Sequence, residues 1–141
     1  MADARFINKA KIWQRFAKIP DEIAAECGKQ LAEEVGGLVD AMKRACPVSH
    51  ELEKTPGQLR DSIHAYSNPD RPMSYRIIAD AKAEDGDFIG PHVEFGHLAR
   101  NGKRVRPYPF FFPTYRARKK AMRKRMLAAA RRAIKKAMTS G

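Results

Sequence analysis

His92, Glu94 and His97 stand in the order H-x-E-x-x-H, three side chains that bind metals or move protons. Zinc peptidase helices hold their two histidines four apart, on one face, with a glutamate beside them. Here the histidines are five apart, and on a continuous helix they would diverge by about 140°. That spacing argues against a shared metal. Ser49, His50 and Glu51 supply the residue types of a hydrolase triad, but they are contiguous, and triads are assembled across a fold. His64 has no partner at useful spacing, and Gly36–Gly37 lies inside a helical pattern instead of a phosphate-cradling loop. The expectation is a chain that is not an enzyme and takes no metal or cofactor.

Charge carries a second kind of chemistry. The net charge of +12 is unevenly placed: residues 1–97 hold 13 Lys/Arg against 16 Asp/Glu, while residues 98–141 hold 15 Lys/Arg and no acid. A mildly acidic body with a strongly basic last third points to a polyanion or an acidic protein surface as partner. Arg116, Arg118, Lys119, Lys120, Arg123, Lys124 and Arg125 are the candidates for that contact. As a nucleic-acid grip they would track phosphates, with Tyr108, Phe110, Phe111 or Phe112 stacking on bases. The aromatics argue otherwise, because they are adjacent and bracketed by Pro109 and Pro113, which pre-set the backbone. A rigid, apolar wedge of this kind fills a core or a neighbour's groove. A basic amphipathic helix is also a membrane-surface signature, but this one carries mostly Ala and Met on its apolar stripe, and no membrane contact is expected.

These residues must be positioned by a small set of elements. Residues 1–19 read as a short amphipathic helix through Phe6, Ile7, Ala10 and Trp13. Pro20, Asp21 and Glu22 suit the start of a second helix over 20–46, with Ile23, Cys27, Leu31, Val35, Leu38 and Met42 on one face. Gly36–Gly37 marks a kink or a close-packing point, and Pro47 stands just past the end. Residues 58–97 form the sheet region, with strands at 60–67 and 74–81, while 88–97 reads either as a third short strand or as a helical turn. Residues 98–108 are an exposed loop or hairpin arm with Asn101–Gly102 at its tip. A basic helix follows over 114–138, with Thr114 as N-cap and Met122, Met126, Ala129, Ala130, Ala133, Ile134 and Ala137 on one face. The fold class is α+β: two long helices packed on a small antiparallel sheet of two to four strands.

A chain of 141 residues is one domain by length and buries a modest core, so association would help it. No apolar run approaches the ~20 residues of a membrane span, and the charged start "MADARFINKAKIWQRF" is unlike a secretory signal. Cys27 and Cys46, placed on one helix, would stand roughly 28 Å apart and stay reduced. The reading is soluble and cytosolic.

Four motifs in order add a family likeness. They are Ala45–Cys46–Pro47, Gly57–Gln58–Leu59–Arg60–Asp61–Ser62–Ile63, Val93–Glu94–Phe95–Gly96, and Pro109–Phe110–Phe111–Phe112–Pro113. Over about residues 20–138 the chain resembles the minor tail or neck proteins of tailed bacteriophages of the Hong Kong 97 type, and is similar to the lambda tail-completion protein Z. Its loop between Pro47 and Gly57 is longer than that family's short link, and its final helix is more basic. The resemblance implies a structural virion protein at the head–tail junction, made in the host cytoplasm and acting in tail completion and head–tail joining. It implies a homo-oligomeric ring, hexameric or dodecameric, flanked by connector, tail-terminator or tail-tube proteins, with DNA in the channel. Phe95 and Ile63 are then expected in the core. Arg60 and Glu94 are expected to pair within the fold or across subunits, and Pro109 to Pro113 to form the subunit wedge. The alternative is an independent basic nucleic-acid-binding protein.

Overall fold

The computed structural model describes residues 9–48, 56–71 and 73–139. Residues 1–8, where the first expected helix begins, and the Ser49–His50–Glu51 run lie outside them. The two expected N-terminal helices are one, α1 (Lys9–Ala45), with Pro20 inside it. A proline removes one rung of the ladder and strains one turn, but good helix formers on both sides carry the helix past it. Gly36–Gly37 likewise does not end the helix.

The expected face of α1 is the one that packs. Val35, Leu38 and Met42 are buried, and Ile23, Cys27 and Leu31 are half-buried toward the other end. Leu38, Met42 and Cys46 join Leu59 of α2 (Gln58–Asp61) and Ile63 of β1 (Ile63–Ser67) in the core. Ala81, Ile89, Val93 and Phe110 complete it. β1 pairs antiparallel with β2 (Tyr75–Ala79), Ile63 opposite Ala79 and Ser67 opposite Tyr75. Gly57, ahead of α2, has φ +84°, where a Cβ would meet the Arg60 guanidinium at 2.7 Å.

The undecided stretch at 88–97 is a helix, α3 (Ile89–Phe95), followed by a strand. Gly96, at φ 76° and ψ 169°, ends α3 in a conformation confined to glycine. A Cβ there would lie 2.7 Å from the Val105 carbonyl oxygen. The chain then turns into a two-stranded ribbon, β3 (His97–Leu98) with β4 (Arg104–Val105), separate from the β1–β2 sheet. Asn101–Gly102 forms its tip as expected, with Gly102 at φ 77° and the Asn101 side chain accepting from the Lys103 amide.

The last element, α4 (Phe112–Thr139), starts two residues earlier than expected. Thr114 is not its N-cap, because its hydroxyl donates to the Phe110 carbonyl at 2.5 Å. Glu26 pairs with Lys136, Glu34 with Arg125, and Gly37 faces Arg118, so α4 runs antiparallel to α1. Ala129, Ala133 and Ala137 are buried along the seam, and their small side chains let the two helices approach closely. Met122, Met126 and Ala130 are partly buried beside them, whereas Ile134, expected on the same face, is exposed.

Candidate functional site

The corner between α3, the ribbon and α4 is built around one carboxylate. Glu94 is 5% exposed, and its oxygens accept from the amides of Phe110 at 2.8 Å, Phe111 at 3.0 Å and Phe112 at 3.0 Å. A helix leaves its first amides without partners and carries partial positive charge there. The residue ahead of α4 is Phe111, which has no acceptor to offer, so a carboxylate from another helix does the capping. The Tyr108 amide donates to the Val93 carbonyl at 2.7 Å and ties the incoming segment to α3 as well. Two expectations change at this point. Glu94 is engaged by backbone amides and does not pair with Arg60 within the fold; Arg60 bonds the neighbouring Asp61 at 3.0 Å. Phe95 is not core. Ile89, Gly90, Val93 and Glu94 use the inward faces of a seven-residue helix, and Phe95, one step further round, is 66% exposed.

The wedge of three phenylalanines divides its roles. Phe110 is buried at the centre of the core, Phe111 is half-buried against it, and Phe112 is exposed. The rings form a chain, with Phe110 and Phe111 centroids 6.2 Å apart, Phe111 and Phe112 5.3 Å, and Phe112 and Phe95 6.0 Å. Phe95 separates two shallow concavities. One, of ≈ 160 Å³, is lined by Gly90, Pro91, Glu94 and the three phenylalanines among others. The other, of ≈ 360 Å³, runs along the ribbon past His97, Leu98, Arg104, Val105 and Pro107. Leu98, Val105, Pro109 and Tyr108 are exposed too, so the corner presents apolar surface around a fixed aromatic. Pro113 occupies the first turn of α4, where a missing amide hydrogen costs nothing.

The histidine pair is closer than its spacing predicts. Gly96 ends the helix between them, and the His92 and His97 rings meet edge to face with centroids 4.9 Å apart. Asp87 approaches His92 at 4.0 Å. Among the described residues, no three His, Cys, Asp or Glu side chains come together to hold a metal ion. No described helix is long and apolar enough to cross a membrane.

The seven candidate cations of α4 do not share one environment. Arg125 forms a two-pronged ion pair with Glu34, Nε to Oε1 at 2.5 Å and Nη2 to Oε2 at 2.8 Å. Glu34 is buried, and the hydrogen bonds from Arg125, opposed by burial and helped by Gln30 and by the charge of Arg118, hold its carboxyl below the usual range. Arg118 also turns toward α1, its guanidinium 3.4 Å from where a Gly37 Cβ would sit. Arg116, Lys119, Lys120, Arg123 and Lys124 are exposed.

Compared with models of known protein families, with curated proteins and with solved structures, the chain finds no match.

Proposed function

We propose that the protein is an assembly component without catalysis, a ring-forming structural protein of a tailed-phage particle that acts where head and tail join. One observation carries the docking part of this reading: Phe95 is 66% exposed on a helix whose next residue back, Glu94, locks the start of α4. A large apolar side chain held rigidly outward is the kind of anchor from which interfaces draw most of their affinity. In a ring each copy presents one surface to the next copy's different surface, and the Phe95 corner with the 98–106 ribbon supplies one of the two. The order of the four motifs supports the particle assignment, with connector, tail-terminator or tail-tube proteins as flanking partners. A second reading, an independent nucleic-acid binder, is favoured by the 15 Lys/Arg and absence of acid in residues 98–141.

Sedimentation velocity between 5 and 200 µM, as order-of-magnitude concentrations for contacts of this class, tests the reading. The wild-type chain is expected to form a closed oligomer, and Phe95→Asp to remain monomeric with an unchanged circular dichroism spectrum. A wild-type chain that stays monomeric throughout would reject ring formation by this corner.

A further inference from the structure

We infer that the outer face of α4 from Arg116 to Lys124 is a docking surface for the phosphate backbone of duplex nucleic acid, gripped without regard to base sequence. The cations of this helix fall into two sets. Arg118 and Arg125 are turned onto α1, and Lys136 pairs with Glu26. Arg116, Lys119, Lys120, Arg123 and Lys124 are exposed, and among the described residues none of them enters an ion pair. At about 100° per residue the five fall within an arc of about 140°. The two sets flank the buried stripe of Ala129, Ala133 and Ala137 on opposite sides. One set therefore fastens the helix, which leaves the other free for a ligand without loss of packing.

Density and composition identify the ligand. Residues 116 to 124 rise about 12 Å along the helix, and a duplex presents about seven phosphates over that length. Five cations in that interval match a polyphosphate closely. Protein interfaces are depleted in Lys and need an apolar centre, but within this arc every position of the stretch is Lys or Arg, with the exposed Ala117 and Ala121 at its edge. The exposed apolar side chains of α4 lie to either side of it, Phe112 and Tyr115 before the stretch and Leu127, Ile134 and Met138 after it. No aromatic stands among the five, so nothing in the stretch stacks on unpaired bases as single-strand binders do. Reading of base edges would call for Asn, Gln or other polar groups placed beside the cations, and the face has none.

The test is fluorescence anisotropy of a mixed-sequence DNA duplex of about 30 base pairs, titrated with the full chain from about 50 to 250 mM KCl. It is run in parallel on Phe95→Asp, so that self-association and DNA binding are read separately. With five phosphates engaged, log Kobs should fall against log salt with a slope of about −4.5 per protomer. An unrelated duplex sequence should bind within about threefold, as a backbone grip requires. The triple variant Lys119→Gln, Lys120→Gln, Lys124→Gln should bring the slope to about −1.8, whereas Lys136→Gln should leave it unchanged. Absence of binding at the lowest salt, a slope unmoved by the triple variant, or an equal grip on poly-glutamate of matching charge would each overturn the inference. The last outcome would make this an acidic-protein face.

Discussion

Glu94 joins two stretches of chain that have no other strong reason to meet. Its carboxylate is buried and serves three amides 16 to 18 residues further on. Hydrogen bonds to a charged group contribute about 1.5–3 kcal/mol each, and a buried amide left without a partner costs a similar amount. The three share one acceptor and do not add fully, so Glu94→Ala should cost about 3 kcal/mol in urea unfolding. Glu94→Gln, which keeps one acceptor oxygen and loses the charge, should cost less. A loss under about 0.5 kcal/mol for the alanine variant, the size of an ordinary surface change, would show that water replaces the carboxylate without penalty. The sequence marks Glu94 as a candidate but offers Arg60 as its partner, which it does not meet within the fold. Its partners within the chain are backbone groups, which no residue type advertises. A signal was present all the same: Phe111 stands at the N-cap of α4, Pro113 follows, and neither can accept a hydrogen bond from the first turn. A helix without a local cap needs a distant one.

Among the elements, α1 and α4 form the framework, and their seam holds a titrating contact that bears on stability. Glu34 is held below the ordinary carboxylate range by Arg125. A depressed folded-state value means that the contribution is complete above the unfolded value of about 4.3 and is lost as pH falls through the folded one. Thermal or urea unfolding from pH 7 down to pH 3 should therefore show an acid limb that is shallower in Glu34→Gln than in the wild type. Identical limbs would assign the acid sensitivity to other carboxylates. The framework was largely legible. Steps of four and three fix the packed face of α1, and the 25 residues from Thr114 to Met138, without Gly or Pro, read as helix. The junctions were less so. Pro20 looks like a boundary because proline breaks short helices, yet α1 is long enough to absorb it. The seven residues of α3 are too few for period 3.6 to be told from period 2. The five-residue histidine spacing misled for the same reason, since the angle between His92 and His97 holds only on an unbroken helix, and Gly96 breaks it.

Over the whole molecule the charge is polarised, and most of the cations of the last third are close neighbours of one another. Neighbouring side chains on α4 stand about 6 Å apart, and the next pairs about 12 Å, distances over which salt screens strongly near physiological strength. The Glu34–Arg125 pair, at 2.5 and 2.8 Å with one partner buried, is screened far less. Added salt should therefore relieve repulsion more than it weakens attraction. Raising NaCl from about 20 to 300 mM at pH 7 should raise the Tm by roughly 4 °C, the equivalent of about 1 kcal/mol for a chain of this size. A falling Tm would mean that intramolecular ion pairs outweigh the repulsion.

The capping of α4 by Glu94 also makes the Phe110, Phe111 and Phe112 amides a built-in gauge of the corner. Their protons can exchange with solvent only when α3 moves away from the start of α4, so the three should exchange together, at a single opening free energy. A ligand or neighbour that seats on Phe95 would slow all three without touching any of them. Their common exchange rate would then report, in one measurement on the unmodified protein, whether the corner is occupied.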